Sequence, residues 1–146
     1  MKKEPIIDKE VGDRFTSRPR VITDEELDRF YDMTGIKENI FEVDEAARSL
    51  GLGYKKRIVA GAYLLQLAFS FGCELELALD VPMVGVNNVK FISPVYPGDE
   101  VRLEGEVIGK KVTSKGHVVV TWSWVLKNQN NVVVAQGEVS EFFPKS

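Results

Sequence analysis

The chain has 146 residues, and 44% of them are hydrophobic, which suffices for one core of ordinary domain size but not for two. It contains one histidine, His117, and one cysteine, Cys73, so its own residues cannot build a His-rich zinc site, a disulfide framework or a CxxC redox pair. With 19 Lys and Arg against 22 Asp and Glu, the formal net charge of −3 argues against a nucleic-acid partner.

The start of the chain gives no signal for export. Residues 1–10 are charged and carry only Ile6 and Ile7 where a signal peptide needs a long apolar run. The uncharged stretch 58–73 is too short for a membrane span and better suits a buried helix. We therefore expect a cytoplasmic protein in a reducing compartment with no membrane partner. Because repeats and linkers are absent from the sequence, we also expect a single domain over 1–146.

Local signals predict a short strand and then a helix in the first third of the chain. The strand covers about 14–21. Thr23 and Glu26 form a capping-box pair in front of an apolar pattern with helical spacing, and Gly35 ends that pattern. An irregular stretch follows, with one or two helical turns over 43–47.

A longer helix is predicted from about Arg57 to Leu79, and its first four turns are apolar on nearly every side, so other elements must cover it. The second half of the chain alternates apolar and polar residues, as half-buried strands do, with turn signals at 97–99, 114–116 and 128–131. These signals predict four consecutive strands in an antiparallel meander. Together with the first strand they would form a curved five-stranded sheet around the helix, an α+β arrangement.

Several strings in this order resemble the MaoC-like, or R-specific enoyl-CoA hydratase, family of the hot-dog fold. They are Val11-Gly12-Asp13, Arg20-Val21-Ile22-Thr23, Thr34-Gly35, Val43-Asp44-Glu45-Ala46-Ala47, Arg57-Ile58-Val59-Ala60-Gly61 and Lys90 to Asp99. The last string contains Pro-Val-x-Pro-Gly-Asp at 94–99, a pattern characteristic of the family. Because these residues also suit a strand end and a turn, we interpret the string as structural rather than catalytic.

The resemblance implies a homodimer or larger homo-oligomer whose sheets join edge to edge. It also implies an acyl-CoA or acyl-carrier thioester bound at the subunit interface, with no other cofactor and no metal. The implied activity is that of a hydratase or dehydratase, a lyase of fatty acid metabolism.

The catalytic pair of the family hydratases does not appear in this chain. In the family, an Asp and a His five positions apart in the loop after the first helix activate water. The corresponding loop is one residue longer here, and the His position falls on Phe41 or Glu42 and the Asp position on Ile36 or Lys37. A second family His corresponds to Ala60. The resemblance therefore carries the fold and the ligand class but leaves catalysis open.

Candidate site residues follow from the loop and from the start of the long helix. For catalysis the available carboxylates are Glu42 and Glu38, with Asn39 as an orienting amide, although solvated loop residues would have the same sequence. For substrate binding the candidates are Ala60, Gly61 and Ala62, whose backbone N–H groups would polarise a thioester carbonyl, and Phe41 beside them. The cations Lys55, Lys56 and Arg57 would oppose the helix dipole, which a CoA phosphate or plain solvent could offset.

Other residues support less specific hypotheses. Tyr63, Gln66 and Ser70 either line an acyl tunnel or are paired within the fold. Glu74 would serve a thioesterase as base or nucleophile. We interpret Cys73 as a small core residue, His117 as an ordinary hairpin residue, and Trp122 and Trp124 as packing residues.

Three functions are consistent with these observations. The first is an acyl-thioester-binding protein of the enoyl-CoA hydratase and 3-hydroxyacyl dehydratase group. The second is a non-catalytic binding or scaffold subunit that forms a hetero-oligomer with a catalytic relative. The third is a hot-dog acyl-CoA thioesterase that uses Glu74 or a loop glutamate.

Overall fold

The computed structural model of the chain describes residues 2–146. In chain order the elements are a 3-10 helix (Ile6–Asp8), β1 (Arg14–Thr16), β2 (Arg20–Val21), α1 (Asp24–Thr34), α2 (Asn39–Glu42), α3 (Asp44–Arg48), α4 (Gly61–Glu74), β3 (Met83–Phe91), β4 (Glu100–Val112), β5 (Val118–Lys127) and β6 (Val133–Phe143). Within this described part of the chain, no helix is long and apolar enough to cross a membrane.

The strands form one antiparallel sheet whose inner face packs on α4. The order is β1-β4-β5-β6-β3, and β2 also pairs with β4. Alternate residues of β5 are buried, among them Trp122 and Trp124, and the Trp122 ring packs against Gly72 of α4. The two tryptophans are thus packing residues, as predicted. The predicted first strand divides into β1 and β2, so six strands rather than five pair in the sheet.

The helix α1 forms as its local signals predict. The Thr23 hydroxyl accepts a hydrogen bond from the Glu26 N–H, and the Glu26 carboxylate accepts one from the Thr23 N–H, which completes the capping box. Gly35 ends the helix with a φ of 76°, a left-handed conformation that glycine adopts without strain. The helix is thereby fixed at both ends.

The predicted four-strand meander is wrong at its first step. β4, β5 and β6 do form a meander, but β3 pairs with β6 at the far side of the sheet rather than with β4. The intervening segment crosses beside the start of α4, where the Val95 carbonyl accepts a hydrogen bond from the Val59 N–H. Gly98 then pairs with Ile22, so 97–99 ends a crossover and is not a hairpin turn.

The central helix is shorter than predicted at both ends. Before Gly61, the N–H groups of Arg57, Ile58 and Val59 donate to acceptors elsewhere in the fold and leave this segment extended. After α4, Leu77 accepts a hydrogen bond from the N-terminal segment, which fixes the chain in a non-helical turn. Tertiary hydrogen bonds therefore set both ends of α4. Lys55, Lys56 and Arg57 therefore do not lie at the start of a helix, contrary to the prediction.

Candidate functional site

A cleft of about 190 Å³ opens beside the first turn of α4. Its walls are largely apolar, and Tyr54 and Ser93 carry the polar side chains that reach it. The residues that line it are Phe41, Tyr54, Ile58, Val59, Gly61, Leu64, Phe91, Ile92, Ser93, Pro94 and Val95. The cleft therefore joins the loop after α1, the entry to α4 and the crossover after β3.

Tyr31 of α1 fixes the chain at the entry to α4. Its buried hydroxyl accepts a hydrogen bond of 3.0 Å from the Ala60 N–H, and its ring stacks on Phe41 with 5.7 Å between ring centroids. Burial raises the pKa of Tyr31, so the hydroxyl stays neutral. This contact holds α4 in place against the loop that carries Phe41.

The first turn of α4 presents two backbone donors. Ala60 is the N-terminal flanking residue, and within residues 2–146 the N–H groups of Gly61 and Ala62 have no hydrogen-bond acceptor. Gly61 lines the cleft, and the Phe91 ring lies so close to it that an added Cβ would be 2.8 Å from a ring carbon. The small size of Gly61 thus allows the Phe91 ring to lie against the start of the helix.

The loop after α1 brings one of its candidate residues to the cleft. Phe41 lines the wall, but Glu38, Asn39 and Glu42 do not. All three are exposed on or next to α2, with Glu38 preceding its first residue. The structure therefore places no carboxylate of this loop at the cleft wall.

Arg57 is part of the fold and is not free for a ligand. Its side chain is 9% exposed, and its guanidinium forms ion pairs of 2.6 Å with Asp24 and with Asp28 on α1. The same group donates to the Phe41 carbonyl, and the Arg57 N–H donates to Asp44. Although burial of Arg57 opposes its charge, the two carboxylates outweigh that effect and raise its pKa. Arg57 thus ties α1 to the loop beside the cleft.

Lys55 and Lys56, the two residues before Arg57, have no ion-pair partner in the described chain. Within the described chain neither forms a salt bridge, and Lys55 is exposed. Both follow Tyr54, which lines the cleft, and the Lys55 N–H donates to the Tyr96 hydroxyl. The two lysines therefore directly follow a residue of the cleft wall in sequence, and neither ammonium group has a carboxylate partner in the described chain.

The polar residues of α4 are paired within the fold. The Tyr63 hydroxyl donates to the Glu26 carboxylate, and the Ser70 hydroxyl donates to Gln66 at 3.1 Å. Burial and the Glu26 charge raise the pKa of Tyr63. Burial also opposes ionisation of Glu26, but the hydrogen bonds from Tyr63 and Thr23 outweigh it and lower the pKa of that carboxyl.

The remaining candidates lie away from the cleft. Cys73 is exposed at the end of α4, so the prediction that it is a core residue is wrong. Glu74, the last residue of α4, is about 20 Å along the helix axis from Gly61. The imidazole of His117, in the turn between β4 and β5, accepts a hydrogen bond from the Lys145 N–H.

Sequence reasoning missed three residues of the cleft wall, Tyr54, Phe91 and Ser93, and the role of Tyr31 beside the cleft. The helical spacing of α1 indicates only that Tyr31 belongs to its apolar face, whereas the Tyr31 hydroxyl fixes the entry to α4. Tyr54 lies in a stretch without periodicity, and only the string 90–99 contains Phe91 and Ser93. All four residues carry an aromatic ring or a hydroxyl group and lie near the end of a predicted element. This pattern alone does not indicate a site, because the crossover after β3, which brings the segments together, is not predictable from it.

The sequence also matches the model of a known domain family. The sequence model of the MaoC like domain matches residues 7–128. The chain belongs to this family. The predicted resemblance and the hot-dog fold are thereby confirmed.

Solved structures agree with this assignment. A monoamine oxidase regulatory protein from Archaeoglobus fulgius has a TM-score of 0.86 at 22% identity, over 100% of this chain and 97% of its own. The (R)-hydratase from A. caviae involved in PHA biosynthesis has a TM-score of 0.77 at 21% identity, over 94% and 98%. The 3R-hydroxyacyl-ACP dehydratase complex HadBC from Mycobacterium tuberculosis has a TM-score of 0.76 at 17% identity, over 96% and 98%. At these identities the likeness shows the fold alone. No curated protein matches the chain.

Besides the cleft, this MaoC-like domain has an exposed edge strand, β3. It pairs with β6 on one side, and its other side is open within residues 2–146. Apolar side chains along β3 and just after it are exposed, namely Met83, Val84, Val86, Phe91 and Ile92. A long edge with exposed apolar side chains is typical of a strand that pairs with another chain. This edge ends beside the cleft, because Phe91 and Ile92 also line that wall.

Proposed function

We propose that this MaoC-like protein binds an acyl thioester, of CoA or of an acyl carrier, in the cleft at the start of α4. The observation that carries the proposal is at the N-terminus of α4, where the N–H groups of Gly61 and Ala62 have no hydrogen-bond acceptor in the described chain. Gly61 also lies in the wall of an apolar cleft. Such donors favour an oxygen on which negative charge develops, as on a thioester carbonyl. The apolar walls suit the carbon chain next to it.

Lys55 and Lys56 support the same ligand class. They lie next to Tyr54 at the cleft and have no carboxylate partner in the described chain. A CoA pyrophosphate or 3′-phosphate would give both ammonium groups a counter-charge. Arg57 supports the site differently, because its ion pairs with α1 hold the loop that carries Phe41.

Hydration of an enoyl thioester needs a base close to the attacking water and a donor to the carbonyl. The cleft supplies the donor. Its lining holds no carboxylate, histidine or cysteine among the described residues, and Glu38 and Glu42 lie outside it. The proposal is therefore a binding protein of the hydratase and dehydratase group whose own acid-base pair is absent.

The open edge of β3 favours a second candidate function, that of a binding subunit in a larger assembly. Pairing along this edge would bring another chain next to Phe91 and the cleft. A second copy of this chain would give a homodimer that still lacks the catalytic Asp and His of the family. A relative that carries the family Asp and His would supply a base from the other subunit. HadBC from M. tuberculosis is, by its name, a complex that acts as a 3R-hydroxyacyl-ACP dehydratase.

Calorimetric titration with CoA and butyryl-CoA tests the ligand class. We expect saturable binding, stronger for the thioester, which weakens severalfold in a Lys55→Ala/Lys56→Ala variant because two phosphate contacts are lost. Lys115→Ala, in the exposed turn between β4 and β5, is the matched control and should bind like the unaltered protein. Absence of binding, or equal affinities in the two lysine variants, would contradict the proposal.

A spectroscopic assay with crotonyl-CoA tests the catalytic part. The protein alone should not consume the enoyl absorbance faster than buffer, whereas its mixture with a co-purified subunit that carries the Asp and His pair should do so. Rapid hydration by the protein alone would mean that a residue outside the observed wall acts as base. Glu38→Gln and Glu42→Gln variants would then identify it.

A further inference from the structure

A second cavity, of about 350 Å³, lies at the opposite end of α4 from the thioester cleft. It lies between the end of α4, the turn that follows it, the start of β3, and the inner faces of β5 and β6. Its lining residues are Phe69, Gly72, Cys73, Glu76, Leu77, Ala78, Leu79, Asp80, Val81, Met83, Trp122 and Glu141. None of them lines the first cleft, so a ligand here would not depend on thioester binding.

Glu141 is the unusual residue of this cavity. It points to the inner face of β6, where the neighbouring inward positions are Gly137 and Val139, yet its side chain is a carboxylate and the residue is only 7% exposed. One oxygen accepts a distant hydrogen bond, 3.5 Å from the indole N–H of Trp122. The other oxygen has no hydrogen-bond partner within residues 2–146. Burial raises the pKa of Glu141, since leaving water disfavours its charged form.

The charged residues that line the cavity all carry carboxylates. Glu76 and Asp80 add two carboxylates to its lining, and no Lys, Arg or His is among the lining residues. Glu76 pairs with Lys3 at 2.9 Å, but Asp80 and Glu141 have no ion pair in the described chain. An anion would be repelled here, whereas a cation would recover part of what the burial of Glu141 costs.

We propose that this cavity is a binding site for a small organic cation with an apolar body, whose ammonium group pairs with Glu141. The space of about 350 Å³ accommodates about twelve non-hydrogen atoms at roughly 30 Å³ each. The apolar part would lie against Phe69, Leu77 and Trp122, and the cation would donate to the free oxygen of Glu141.

Titration of the full-length protein with hexylammonium, 1-hexanol and hexanoate tests this proposal, with NMR shifts of the Trp122 indole N–H as the readout. We expect hexylammonium to bind at least tenfold more tightly than 1-hexanol, and hexanoate to bind least. Glu141→Gln should remove the preference for the cation. Glu138→Gln, on the outer face of the same strand, should retain it. Equal affinities for cation and alcohol, an unchanged preference in Glu141→Gln, or no binding of any probe would overturn the proposal.

A cavity-filling variant locates the site without altering Glu141. Ala78 is half-buried and lines the cavity, so Ala78→Phe should fill it. We expect this variant to lose hexylammonium and 1-hexanol while it retains the CoA affinity of the unaltered protein, which also shows that it is folded. Hexylammonium binding that persists in Ala78→Phe would place the cation elsewhere and refute the assignment.

Discussion

Arg57→Ala should lower the free energy of unfolding by about 2 to 3 kcal/mol. Breaking a fully buried ion pair costs roughly 3–5 kcal/mol, and an exposed pair contributes about 0–1 kcal/mol. The pairs of Arg57 lie between these limits, because its guanidinium is 9% exposed while the Asp24 and Asp28 side chains are 74% and 59% exposed. After the substitution water can solvate both carboxylates, which keeps the cost toward the lower limit.

Urea unfolding followed by tryptophan fluorescence measures this change, since Trp122 and Trp124 are both buried in the core. Lys56→Ala is the control, and its stability should stay within about 0.5 kcal/mol of the unaltered protein. Arg57→Lys should fall between the two, because an ammonium keeps the charge but cannot reach both carboxylates as a planar fork does. If Arg57→Ala left stability unchanged and weakened CoA binding instead, Arg57 would be a ligand residue and the structural assignment would be wrong.

Three further predictions concern other contacts. Phe91→Ala should uncover the start of α4 and raise affinity for butyryl-CoA severalfold in calorimetry; a loss of affinity would mean that the Phe91 ring contacts the ligand. Stability should fall as acid protonates Glu26, because its folded pKa is lowered, so its contribution is present above the unfolded value of about 4.5 and is lost at lower pH. In Tyr63→Phe this acid dependence, measured by thermal unfolding, should be shallower, and an identical pH profile would exclude the hydrogen bond as its cause. Gly105→Ala should destabilise by about 1–3 kcal/mol in urea, since its Cβ would overlap the buried Phe15 ring; unchanged stability would mean that this ring shifts freely.

Local chemistry accounts for the parts of the fold that the sequence predicts well. The ends of α1 follow from Thr23, Glu26 and Gly35, which lie within one turn of the bonds they form. The alternation of β5 likewise predicts that Trp122 and Trp124 face the core, because side chains of a strand alternate between its faces.

Long-range contacts account for the parts that were mispredicted. The helix pattern runs through Arg57, but its guanidinium partners are 29 and 33 residues away and its neighbours are held extended by other segments. The segment 97–99 has the residues of a hairpin turn, and only the pairing of β3 with β6 shows that it ends a crossover. Glu141 is similar, since no local signal distinguishes an inward glutamate on β6 from an exposed one.

The candidate site is predictable in part for the same reasons. The string Arg57 to Gly61 indicates that a helix opens in this region, although α4 begins at Gly61 and not at Arg57. The exposure of Glu38 and Glu42 depends on where α2 packs, which the sequence of the loop does not determine.

An NMR titration of labelled protein with butyryl-CoA tests the central claim most directly, because it reports on each backbone amide. The account predicts saturable shifts of the Gly61 and Ala62 amides, together with residues around Tyr54, and no comparable change at Trp122 beside the second cavity. Saturable binding that leaves the Gly61 and Ala62 amides unshifted would contradict it, as would the absence of any binding.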